Sequence, residues 1–242
     1  MKVHVFETDD AAARALAHCV SCAIRQKPAL VLGLAAGRTP VATYEQLRLM
    51  HRAGALDLYG VTTFNLDEFV GITPSHPGSF RTFMDAHLFG GLGLHPDQIR
   101  FLDGSASDLD AECERYEVAI DAAGGIDLQI LGIGANGHIG FNEPGDDLPA
   151  RTHRVTLADS TRRDNAALFD GDPSRVPREA LSMGVGTILK AAAVVLLATG
   201  ARKAQCIERT VNGPLTTRLP ASFVQMHRDV ELYLDTAAAL LL

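Results

Sequence analysis

Residues 127–145, DLQILGIGANGHIGFNEPG, open like a buried strand and then stop behaving like one. Leu128, Ile130, Leu131 and Ile133 form an apolar run, the pattern of a strand covered on both faces. Gly132, Gly134, Gly137 and Gly140 follow at once, with His138 and Glu143 among and after them, and Pro144-Gly145 ends the stretch. An imidazole and a carboxylate therefore sit just past the carboxyl end of a core strand. Open parallel sheets bind their ligands at that end.

The rest of the chain repeats the strand half of this pattern. VHVF at 3–6, ALVLGL at 29–34, VTTFNL at 61–66, AAVVLLAT at 192–199 and VELYLD at 230–235 read as short apolar strands. Helix-like segments separate them. One opens at Thr8-Asp9-Asp10, whose side-chain oxygens suit a helix start, and others begin near Pro40, near 79, at 108 and at about 202. This alternation predicts an α/β chain: a mostly parallel central sheet with helices on both faces, a modified Rossmann-like arrangement. No repeat, low-complexity segment or Pro-rich linker divides residues 1–242, so a single domain is expected. Loops are expected at 71–78, 140–150 and 170–177, each a candidate lid.

Lys and Arg number 22 against 29 Asp and Glu, a net charge of −7, and no basic run interrupts the sequence. That balance argues against nucleic acid and anionic membrane surfaces as partners. No run of about 18 apolar residues is present to span a membrane, and MKVHVFETDD turns acidic too early for a signal peptide, so a cytoplasmic protein is expected. Four cysteines, at 19, 22, 113 and 206, are too few and too scattered for a disulfide framework. Cys19 and Cys22 fall inside an amphipathic helical stretch and read as core residues.

Two familiar readings of the opening stretch fail on spacing. Residues 132–137 spell G-x-G-x-x-G, but dinucleotide binding needs a crossover helix at the third glycine, and only HIGFNE separates Gly137 from Pro144. His138 and Glu143 lack the HExxH spacing and a nearby third ligand, so no metal site is expected. Two other strand ends are as unusual. AAGRTP at 35–40 joins a strand to a helix start, where free N–H groups and the helix dipole suit a phosphate. NLDEF at 65–69 brings Asp67 and Glu68 to the sheet's mouth, and in extended chain only one of two neighbours faces the crevice. A carboxylate there suits a general base.

Taken together, LGLAAGRTP, TFNLDEFVGI…HPGSF, GIGANGHIGFNEPG and MGVGTIL…GARKA closely resemble the glucosamine-6-phosphate deaminase family of aminosugar-phosphate isomerases. The resemblance runs over almost the whole chain in the expected order. It implies isomerisation and deamination of a phosphorylated aminosugar to fructose 6-phosphate and ammonia, with no cofactor. By the same resemblance, His138 with Glu143 and Asn136 opens the pyranose ring and Asp67 is the base at C2. Glu68 supports its neighbour, and phosphate is bound by Ala36, Gly37, Arg38 and Thr39 together with Lys203.

The chain also departs from the family pattern. Asn136 stands where aspartate is common; it can accept a hydrogen bond but adds no negative charge. A phosphate-binding arginine is usual at the position of Ala167, and Arg38, or else Arg162 or Arg163, would have to supply that charge. Asp146 and Asp147 replace a hydroxyl pair, and His153 and Val155 replace basic residues, of the regulated members. No allosteric site for N-acetylglucosamine 6-phosphate is therefore expected, and a monomer or small homo-oligomer fits better than a hexamer. Three rivals stay open: the same reaction on galactosamine 6-phosphate, with Ala167 and LPASF at 219–223 marking divergence; hydrolysis of 6-phosphogluconolactone; and an idle sugar-phosphate sensor.

Overall fold

The computed structural model describes residues 1–242. Seven strands form one sheet in which every pairing is parallel: β1 (Lys2–Phe6), β2 (Val31–Leu34), β3 (Thr62–Asn65), β5 (Ile99–Arg100), β6 (Leu128–Leu131), β9 (Ala193–Ala198) and β10 (Val230–Asp235). Their spatial order is β1-β10-β9-β6-β2-β3-β5. The chain runs outward from β2 to β3 and β5, then returns to place β6 on the other side of β2. The strand order reverses there, and the ends of β2 and β6 diverge to leave a crevice.

Alternation along each strand builds a core on both faces. Leu128 and Ile130 of β6 pack with Leu32 and Leu34 of β2 beneath α1 (Asp9–Gln26), α2 (Val41–Arg52) and α3 (Phe80–His87). Leu131 faces the other way, with Phe64, Leu196 and Tyr116, beneath α4 (Leu109–Ala122) and α7 (Ala204–Asn212). Fully burying one such side chain contributes roughly 1.5–3 kcal/mol. The helix starts follow local chemistry. Thr8, Ser79 and Asp108 each accept an N–H from the first turn that follows, Thr8 from Ala11 at 3.1 Å.

A second sheet is added to the expected one. Asp67 and Glu68, extended as expected, form β4 (Asp67–Phe69), antiparallel to β8 (Glu179–Ser182), which pairs in turn with β7 (His153–Thr156). These three- and four-residue strands have no apolar period of their own. They exist because long-range pairing joins them, and their residues are registered Asp67 to Ser182 and His153 to Ser182. Between β7 and β8 runs α5 (Asp159–Asn165), and α6 (Val185–Leu189) follows β8. No helix is long and apolar enough to cross a membrane. All four cysteines are free, Cys19 and Cys22 half-buried in α1, Cys113 and Cys206 buried.

Candidate active site

A cavity of about 430 Å3 opens at the crevice, over the ends of β2, β3, β6 and β9. The loop 35–40, Asp67, the backbone of Gly132, Gly134 and Gly140, His138, and residues 199–203 all line it. All three unusual strand ends thus converge on one space. Residues 71–78 and 170–177 line none of it; of the three expected loops only 140–150 reaches it, through Gly140 and Phe141.

Asp67 is 6 % exposed, and the atoms of its carboxylate form no hydrogen bond within the chain. Burial, and secondarily the charge of Glu68, pushes its pKa well above the ordinary aspartate range. Such a group holds a proton readily, as a base must. Glu68 points the opposite way, as extended chain requires. Its carboxylate accepts the backbone N–H groups of Phe69, Phe80 and Arg81 at 2.8–3.0 Å and so fixes the start of α3. Burial nonetheless takes its pKa up to about 7, against those hydrogen bonds.

His138 is held beside Asp67's side of the cavity by the glycine loop. A Cβ built on Gly134 would lie 2.4–2.6 Å from the imidazole, so the ring packs directly on that residue's backbone. Gly140 has φ of +55°, and a Cβ there would meet Ser182 Oγ at 2.9 Å and Asp67 Oδ2 at 3.7 Å. A glycine is needed because any side chain would strain the turn and crowd the Ser182 hydroxyl. The rest of the loop is pinned to β8: Phe141 N–H donates to Ser182 Oγ at 3.0 Å, and Asn142 Nδ2 donates to the carbonyls of Ile139 and Met183.

Behind the ring, Glu143 Oε2 lies 3.7 Å from His138 Nδ1. Asn136 Nδ2 donates to the same oxygen at 2.9 Å, while Asn136 Oδ1 accepts the His138 N–H at 3.2 Å. Burial would raise the pKa of Glu143, but the neighbouring His138 ring and the donors Thr161 and Asn136 outweigh it and bring it down to about 2. Asn136 and Glu143 do not themselves line the cavity. They stand behind His138 and support it from outside the cavity.

The opposite end of the cavity is cationic. Ala36, Gly37, Arg38 and Thr39 border it as the chain enters α2, whose first turn carries no acidic residue and no side-chain cap, so no side chain competes there with an anion. Lys203 lies across from this turn, its pKa lowered chiefly by burial. Arg202, which sequence reasoning missed, also lines the cavity, 3.5 Å from Asp164 of α5. No group of three or more His, Cys, Asp or Glu residues is placed to hold a metal ion.

The family described as glucosamine-6-phosphate isomerases/6-phosphogluconolactonase matches residues 6–233. Glucosamine-6-phosphate deaminase 2 of Bacillus subtilis is 48 % identical over 240 residues, covering 99 % of this chain and 96 % of that one. The chain belongs to this family. Glucosamine-6-phosphate deaminase of Halothermothrix orenii is 45 % identical over 242 residues, the full length of both. The solved structure of a monomeric glucosamine-6-phosphate deaminase superposes with a TM-score of 0.96 at 40 % identity, again over both whole chains. The 6-phosphogluconolactonase of Trypanosoma cruzi, 18 % identical with a TM-score of 0.79, shares the fold.

Within the family frame, the position of Ala167 stays outside the cavity lining. Arg162 is no substitute for an arginine there: its guanidinium donates to the carbonyls of Pro173 and Val176, at 2.9 and 3.1 Å, away from the cavity. Arg163 is likewise absent from the lining, and Arg38 and Arg202 are the two arginines that border the space. Asp164 and Asn165 also border it, and no pattern in STRRDNA foretold that.

Proposed function

We propose that the chain is a glucosamine-6-phosphate deaminase that converts its substrate to fructose 6-phosphate and ammonia. The observation that carries the reading is one cavity with an unpaired, buried carboxylate at Asp67, an imidazole backed by a carboxylate at His138, and a cationic end built on the 36–39 turn, Lys203 and Arg38. Phosphate at the cationic end would orient the sugar toward both catalytic groups. His138, with Glu143 behind it, moves the proton that opens the ring. Asp67 then takes the proton from C2 to give an enolamine and returns it to C1. The resulting imine at C2 is hydrolysed and ammonia leaves.

The experiment is release of ammonia and fructose 6-phosphate from glucosamine 6-phosphate, with galactosamine 6-phosphate and 6-phosphogluconolactone in parallel. Preferred turnover of the gluco substrate, lost in Asp67→Asn, is expected; turnover of the lactone alone would refute the proposal. The acid limb of kcat/KM should lie above the ~3.9 of an ordinary aspartate, because the base must be ionised and burial raises its pKa. Activity then falls as pH falls through that raised value. A limb at an ordinary carboxylate pH would remove Asp67 from the role. A cytoplasmic, monomeric enzyme fits the four free cysteines and the monomeric relative.

A further inference from the structure

We infer that Thr161 is a positioning residue for ring opening: its hydroxyl fixes the Glu143 carboxylate, and that carboxylate sets where the His138 ring stands. The inference rests on the deaminase reading above. His138 Nδ1 is buried and has no hydrogen-bond partner, and Glu143 Oε2 stands 3.7 Å from it. The glycine loop sets the ring's floor, and Glu143 is the carboxylate that faces its Nδ1, so the pairing of the two is only as fixed as Glu143 is. One side of Glu143 is held by Asn136 at Oε2. The other, Oε1, is held by the Thr161 hydroxyl in a short hydrogen bond and by the Ala158 N–H at 3.3 Å. Without the Thr161 donor, the carboxylate keeps only that long contact on its far side and can swing away from the ring.

Thr161 is built to be a fixed point. It is 1 % exposed, so no substrate group reaches it, and it does not line the cavity. Its carbonyl accepts Asn165 Nδ2 at 2.9 Å, and the neighbouring Arg162 clamps α5 to the 173–176 turn. The same short helix presents Asp164 and Asn165 to the cationic end of the cavity. One element thus carries both a wall of the substrate cavity and the anchor of the acid–base pair, which registers the two against each other.

The test uses the full chain and compares Thr161→Val, which keeps the shape and removes the donor, with Thr161→Ser, which keeps the donor. Three quantities are read: kcat, KM for glucosamine 6-phosphate, and inhibition by a linear amino-alditol 6-phosphate, which has no ring to open. Thr161→Val should lose at least tenfold in kcat, with KM and the linear inhibitor constant each within threefold of wild type. Thr161→Ser should stay within threefold throughout.

A Thr161→Val enzyme with wild-type kcat would overturn the inference. So would one that loses linear-inhibitor affinity in step with kcat, since that is the mark of a general structural defect. If Thr161→Val fails to fold, Thr161→Ala decides by the same split: a tenfold loss in kcat with the linear-inhibitor constant kept supports the inference, and wild-type kcat overturns it. Absence of ammonia release by the wild-type chain would instead sink the deaminase reading itself.

Discussion

Arg38 occupies a position where a small residue would serve the turn into α2 equally well, yet it borders the cavity beside the uncapped helix start. A charged hydrogen bond to phosphate is worth roughly 1.5–3 kcal/mol, so Arg38→Ala should raise KM for the phosphorylated sugar about tenfold or more. Steady-state kinetics checks it, and an unchanged KM would leave Arg202 and Lys203 as the phosphate's cations. The absence of an arginine at Ala167 was legible in the sequence, and so was Arg38 as the candidate to replace it. Arg202 was not. A lone arginine beside a lysine in GARKA carries no pattern, and its role depends on a turn that faces α5 only after folding. Asn136 was legible as a hydrogen-bond acceptor beside His138; that its Nδ2 also holds Glu143 was not, because no local pattern links residues 136 and 143.

The glycine loop between β6 and Pro144 is where local sequence and tertiary packing meet. Its glycines announced a tight turn near a ligand, but what each one accommodates came only from the folded neighbours. Gly134→Ala puts a methyl group where the His138 ring now lies. The backbone at Gly134 is not in a strained region, and the ring is a side chain that can move, so the urea midpoint should hardly change. The displaced ring should cost about a hundredfold in kcat, the scale of an ångström's misplacement of a catalytic group. Wild-type kcat in this variant would show that the ring has another productive position. The long apolar strands and the capped helices were read correctly because their signals lie within a few residues of one another. β4, β7 and β8 were not, because a three-residue strand is defined by its partner.

Across the molecule, Glu117 joins parts distant in sequence. Its Oε1 accepts the N–H and hydroxyl of Thr152 at 2.7 and 2.6 Å and the hydroxyl of Thr187, so α4, the approach to β7 and α6 share one buried carboxylate. Burial would raise its pKa, but these donors and Arg151 outweigh it and lower the value. Glu117→Ala strands three donors and should cost on the order of 3 kcal/mol, read from urea unfolding at pH 7. A lowered pKa gives stability that is complete above the unfolded value of ~4.3 and is lost as pH falls through the folded one. The gap between variant and wild type should therefore narrow below about pH 4; a gap that persists there would show that packing, not charge, is what Glu117 contributes. At the same scale, Asp146, paired with Arg218, and the exposed Asp147 present carboxylates where a phosphate effector would need donors. Saturation curves should be hyperbolic with or without N-acetylglucosamine 6-phosphate, and activation by that ligand would contradict this. The sequence by itself determined the parallel sheet, the helices that cover it and the three strand ends that carry chemistry, because hydrophobic period and capping are short-range. Only the tertiary structure decided which carboxylate faces the cavity, what stands behind His138 and which cations line the far end. The first two depend on a small antiparallel sheet that pairs residue 67 with residue 182, and the third on β2 and β9 flanking β6 in the parallel sheet; no local signal spans those distances.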